Sequence, residues 1–363
     1  MERKEFLKKT IVSLASLSMC SDLVPNVAIA SDALNKNNHK GNNANNLLSA
    51  YYLRANMYTC VPSHIREDMK WLASVGTDNV CLAVLEQDFF AAKDNITLVT
   101  EEANKWGISV YAVPSRWAGL NAGAPKVPSL FSVNNPQTWK LKKDGKPYTS
   151  NVSGVMSSVY YPETIQFFKD SIDRLFSTSG WNFKGIIWDE PKGLMDNDYS
   201  AEAVKQTGSN PGKYANLYAM RDFYSDLNRY IKNIYPDKVT NLFVYGWYDN
   251  PVISEMAKVE ALDYFGADGK PWGYNDLGQK DKKVILGHGQ KFIDAAKQNK
   301  KRSLFLIENF AFNKNETQMM RKRFPELLQM DINHLIYYYY GRSNKNPDNV
   351  MDVIRKYVGR FHS

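Results

Sequence analysis

Cysteine and histidine are scarce in this chain, with three and five copies in 363 residues. Cys20, Cys60 and Cys81 show none of the spacings that hold metals, and no histidines stand in an HxxxH or HExxH pattern. No metal site and no cofactor are therefore expected. A glycine-rich phosphate loop after the first strand is also missing, which removes the usual cradle of a nucleotide. Lysine and arginine exceed aspartate and glutamate by 46 to 38, a formal charge of +8. The basic residues are scattered, with no RNP signature, zinc-finger spacing or arginine-lined helix, so nucleic acid is not an expected partner. The densest basic stretches, "WKLKKDGK" from Trp139 and "KQNKKR" ending at Arg302, read as solvated loop and helix surface. Outside the first thirty residues no run approaches the ~20 apolar residues that a membrane span needs.

What is present is ample apolar material, 44% hydrophobic and 13% aromatic residues, enough for a large core in one domain. The first thirty residues pair a basic start with a mildly apolar stretch from Ile11 to Met19 and a small-x-small ending at Ala28-Ile29-Ala30. That is the layout of a secretory signal and predicts a periplasmic or secreted protein. Arg3, Lys4, Phe6, Leu7 and Lys8 resemble a twin-arginine export signal, with Lys4 departing from the strict pair. Cleavage after Ala30 is favoured over lipid attachment at Cys20. Residues 31–46, "SDALNKNNHKGNNANN", are too polar to bury anything and read as a flexible linker. The folded domain is expected over 47–363.

Within it, short runs rich in β-branched and aromatic residues alternate with longer stretches of helical spacing. The strand candidates begin near Ala50, Asn79, Ser109, Lys184, Asn241, Ala261, Ser303 and His334. Eight nearly continuous apolar strands, each trailed by a helix, predict an α/β fold, a single (β/α)8 barrel with long loops after strands three and four. A doubly wound open sheet is the alternative.

In such a barrel the active site lies at the C-terminal ends of the strands. The residues expected there are Arg54, Arg116, Trp117, Asp189, Glu190, Tyr245, Trp247, Asp263, Asp268, Trp272, Glu308, Asn309 and Tyr339, with Glu86 and Asp88 after strand two and Arg342 after strand eight. Aromatic rings stack on the apolar faces of sugars, while carboxylates and amides read hydroxyls, so this set suits a carbohydrate. Any single aromatic can equally fill the barrel, and loop acids often cap helices. An acid that ends a buried strand is harder to place structurally, because its desolvation must be offset. Glu190, in "GIIWDEP", and Glu308, in "LIENF", are the foremost candidates.

These two motifs resemble clan A of the glycoside hydrolases, whose barrels carry an acid/base glutamate ending strand four and a nucleophilic glutamate ending strand seven. The resemblance implies Glu190 as acid/base and Glu308 as nucleophile, with Asp189 standing where that clan has asparagine. The adjacent Asp-Glu-Pro is also similar to glycoside hydrolase family 123. That likeness implies substrate-assisted cleavage of N-acetylhexosaminides, with Asp189 orienting the acetamido group and Glu190 as the acid. The stretch from "KKDGKPYTS" to "GWNFKGIIWDEP" further resembles uncharacterised barrel hydrolases. A carbohydrate-binding barrel without catalysis, and a transglycosylase or lyase, are the other readings. Successive side chains on a strand face opposite ways, so Asp189 and Glu190 can share a site only if the strand ends or bulges there.

Overall fold

The computed structural model describes residues 45–52, 60–123, 125–272 and 285–362. The expected signal segment, most of the linker and Arg54 lie outside the described residues. The strands in chain order begin with β1 (Leu47–Tyr52), β2 (Asn79–Leu85) and β3 (Ser109–Ser115). Two short ones follow, β4 (Thr149–Ser150) and β5 (Gly154–Val155), which pair only with each other as an antiparallel hairpin. The series resumes with β6 (Phe183–Asp189), β7 (Val239–Tyr245), β8 (Tyr264–Gly269), β9 (Arg302–Ile307) and β10 (His334–Tyr338). The eight parallel strands close into a barrel in the order β1-β10-β9-β8-β7-β6-β3-β2. It shuts where β1 pairs with both β10, Leu47 opposite His334, and β2, Ser49 opposite Asn79. This is the expected (β/α)8 architecture.

Alternation along each strand sorts two apolar layers. Tyr51, Cys81, Val113, Ile187, Phe243, Leu306 and Ile336 fill the barrel interior. Ile186 and Trp188 belong instead to the larger layer under the helices. Helix Pro162–Ser177 shows why that layer forms: Pro162 starts it, and Thr164, Phe168, Ser171, Ile172 and Leu175 recur at three- and four-residue spacing on its buried face. Gly185, which opens "GIIWDEP", is required by close approach, because a Cβ there would lie 2.1 Å from the Val239 carbonyl oxygen of β7.

Two insertions rise above the C-terminal ends of the strands. The first follows β3 and carries the β4–β5 hairpin. Glu86 anchors it: its carboxylate accepts from the Ala118 amide at 2.9 Å, the Ser129 hydroxyl at 2.7 Å and the Phe131 amide at 2.7 Å. Glu86 is thus a structural clamp. The second insertion follows β6 and is tied to the first, since the buried Lys140 donates to the Gly193 carbonyl at 2.9 Å. Together they wall one side of the barrel mouth. Cys81 is a buried free thiol, while Cys60 is half-buried. Among the described residues, no helix is long and apolar enough to cross a membrane.

Candidate active site

The site is built at the end of β6. Trp188 points outward, its indole donating to Asn228 at 2.9 Å on the adjacent helix, so period two turns Asp189 inward. A continuing strand would send Glu190 back out. Instead Glu190 takes φ +38, a left-handed conformation that costs a residue with a Cβ about 1–2 kcal/mol. Its amide still donates to the Phe243 carbonyl at 3.1 Å, so the turn is held while the side chain swings into the mouth. Both acids consequently line one cavity of about 740 Å³, with Arg116, Lys192, Tyr245, Asp268, Glu308 and Tyr338 among its other walls.

Four carboxyl groups crowd this mouth. Glu190, Asp268 from β8 and Glu308 just after β9 each bring an oxygen within 4.8 Å of the others. Three such oxygens can hold a cation or share protons between them; what stands against them here is the Lys192 ammonium, 2.5 Å from Glu190 Oε2. The same ammonium bonds the Tyr245 hydroxyl and lies 4.1 Å from that ring's centroid. Asp189 accepts from the Tyr51 hydroxyl at 2.8 Å.

Burial and mutual repulsion raise the proton affinity of Asp189, Asp268 and Glu308. Burial first, then the Glu190 charge, pushes Asp189 up to about 7. Asp268 is raised well above the ordinary carboxylate value, by burial, by Glu190's charge and by a hydrogen bond to Glu190. Glu308 is raised by burial and by Glu190, a rise opposed by Lys270, Arg342 and Lys192.

Of the residues expected from sequence, the structure brings together Asp189, Glu190, Asp268, Glu308, Arg116, Tyr245 and Arg342. Arg116, itself at φ +62, donates to the carbonyls of Pro125 at 3.0 Å and of Gly123. Trp247 stands beside the site, 60% exposed and stacked on Tyr245 at 4.3 Å and 11°. Others lie elsewhere. Trp117 is fully buried among Phe89, Phe167 and Phe168, its indole donating to Val84. Trp272 is buried against Phe312. Asp263 precedes β8, which starts three residues later than expected, and so falls at the base, paired with Lys232 at 2.6 Å. Asn309 is a fully buried brace, exchanging hydrogen bonds with the Tyr338 backbone at 2.7 and 2.8 Å. Tyr339 faces outward and donates to Asp68 at 2.8 Å.

Among the residues lining the cavity, sequence reasoning missed Lys126, Lys192 and Phe310 and favoured Tyr339 over its neighbour Tyr338. Tyr338, not Tyr339, lines the cavity; pairing of β10 with β1 sets Tyr338 beside Tyr51, and strand parity was the signal. Lys192 follows the "DEP" directly, and nothing in its identity distinguished it from a surface lysine.

No family model matches this chain, and no curated protein resembles it in sequence. Solved structures do resemble it in fold. The endo-1,4-β-mannanase from Rhizomucor miehei superposes with a TM-score of 0.57 at 11% identity, over 86% of this chain and 94% of that one. The catalytic domain of a β-amylase from Paenibacillus polymyxa gives 0.57 at 9%, over 88% and 99%. A β-N-acetylhexosaminidase from Bacteroides fragilis gives 0.53 at 11%, over 87% and 66%. At such identities the likeness establishes the barrel fold, and the proteins that share it here are glycoside hydrolases.

Proposed function

We propose that this protein is an exported glycoside hydrolase that cleaves a glycosidic bond of an oligo- or polysaccharide with retention of configuration. The observation that carries this reading is the approach of Glu190 and Glu308 to within 4.8 Å at the barrel mouth. Retaining pairs stand about 5–5.5 Å apart and inverting pairs roughly 6.5–9.5 Å, and carboxyls whose oxygens come this close fit the retaining arrangement better. Glu190 serves as acid/base and Glu308 as nucleophile. Asp268 shares a hydrogen bond with Glu190, and burial with the Glu190 charge raises its proton affinity, which favours keeping a proton within reach of the departing oxygen. Lys192, bound to Glu190 and Tyr245, fixes the acid's side chain between chemical events. The solved neighbours named as a mannanase, an amylase and a hexosaminidase support the same class of reaction.

A second reading is favoured by one feature. The left-handed turn at Glu190 lets Asp189 face the same cavity, oriented by Tyr51, as substrate-assisted cleavage of an N-acetylhexosaminide would need. The two schemes part at Glu308. In Glu308→Gly, added azide should restore turnover and yield a glycosyl azide if Glu308 attacks the sugar. A Glu308→Gly enzyme that keeps near-full activity on N-acetylhexosaminides, with Asp189→Asn inactive, would overturn the two-glutamate mechanism. Absence of hydrolysis across a broad glycan panel would remove the hydrolase reading and leave a binding barrel.

A further inference from the structure

The cavity is as notable for its cations as for its acids. Arg116, Lys126, Lys192 and Arg342 all line it, facing Asp189, Glu190, Asp268 and Glu308. These cations match the four carboxyls in number, although an acid-bearing cleft has no need of four bases to perform hydrolysis on a neutral sugar. Two of the four belong to the floor of the site: Arg116 is fastened to backbone carbonyls, and Lys192 to Glu190. The other two stand at the rim. Lys126 is exposed, on the loop held by Arg116. Arg342 is exposed on the loop after β10, its guanidinium 5.0 Å from the Phe310 ring centroid, and Phe310 also lines the cavity. An aromatic face topped by a guanidinium offers a sugar ring a stacking surface and its anionic substituent a two-pronged partner.

We propose that the cavity takes an acidic sugar, a glycoside bearing a carboxylate or sulfate, whose anionic group is received by Lys126 and Arg342. This rests on the reading of the site as a carbohydrate site. The two exposed cations at the rim would also draw such a chain toward the mouth, an attraction that salt weakens.

The test uses the full chain carrying Glu190→Gln, so that bound polymer is not consumed, in affinity electrophoresis through gels containing polygalacturonate, alginate, hyaluronate, sulfated galactan, galactomannan, xylan or dextran. Retardation by one or more acidic polymers, at least tenfold stronger than by any neutral one, is expected. Adding Lys126→Ser and Arg342→Gln should cut that retardation at least fivefold, while Arg321→Gln with Lys322→Ser, an equal charge change on a remote exposed helix face, should leave it within twofold. The carboxylated and sulfated gels separate the two sources of charge. Retardation by neutral polymers alone overturns the acidic-sugar assignment and leaves the hydrolase reading standing. An equal effect of both double variants overturns it as a mere charge effect, and no retardation by any polymer overturns it together with the carbohydrate reading.

Discussion

The two ends of the barrel both bury polar groups, and they treat charge in opposite ways. At the base, His334 meets the Ser49 hydroxyl at 2.6 Å with Tyr111 and Tyr264 rings 5.9 and 5.3 Å away. Burial lowers that histidine to about 3, so it is neutral at physiological pH. Asp263, at the same end, is paired with Lys232 where solvent reaches both. At the mouth, by contrast, four carboxyls share one cavity, and burial with the Glu190 charge raises the proton affinity of Asp189, Asp268 and Glu308. A fold that needs only stability avoids buried like charges, because each must be desolvated and repels its neighbours. Keeping them, together with a left-handed glutamate, marks the end of the barrel where chemistry overrides stability.

The sharpest way to break this contrast is to substitute one residue at each end. Glu190→Gln should lower kcat/KM by about 10²–10⁴, the scale of a lost general acid, with the melting temperature at least that of the wild type. His334→Ala should do the reverse. It opens space beside Tyr111 and Tyr264 and removes the Ser49 hydroxyl's bond to the ring, a loss of about 1–3 kcal/mol of stability, while kcat/KM per folded molecule stays the same. Chemical denaturation and initial rates on both variants check the pair; a catalytic collapse in His334→Ala would erase the distinction.

The pH dependence of stability comes next in size. Asp189 titrates near 7 in the folded chain against about 3.9 when unfolded. Between those values the native state holds more protons, so stability falls as pH rises from about 4 to about 7, by about 1.4 kcal/mol per pH unit. Asp189→Asn removes the titration yet still offers the Tyr51 hydroxyl an acceptor. Its melting temperature should exceed that of the wild type at pH 8, and the two should converge at pH 4.5. Equal slopes in both proteins would place the destabilising charge elsewhere.

The barrel was legible in sequence because its strands are apolar on both faces and its helices keep a steady spacing, patterns that survive without knowledge of any contact. Parts of the site were legible for a related reason: acids that interrupt such strands stand out, as Glu190, Asp189, Asp268 and Glu308 do. What failed was parity and register. Asp263 was drawn to the mouth by a strand start placed three residues early, and Tyr339 was preferred to Tyr338 in a run of four tyrosines that carries no internal phase. Trp117 and Trp272 are buried packing residues that composition cannot tell from a binding ring. Lys192 escaped because a lysine after a proline carries no pattern; only the turn at Glu190 folds it back onto the acid.

The smallest expected effect concerns a tryptophan left in the open. Trp247 is 60% exposed and lies nearly parallel to Tyr245 at 4.3 Å. Exposing that much indole has no folding benefit, and the stack holds its ring at a fixed angle next to a residue that lines the cavity. A sugar extending from the mouth over this ring would gain about 0.5–1.5 kcal/mol from such a contact. Trp247→Ala should therefore raise KM for a long oligosaccharide by about 2- to 12-fold, leave kcat unchanged, and have no effect on a substrate too short to reach the rim. If instead the variant loses stability and KM stays put, Trp247 belongs with the packing residues of the base and not with the mouth.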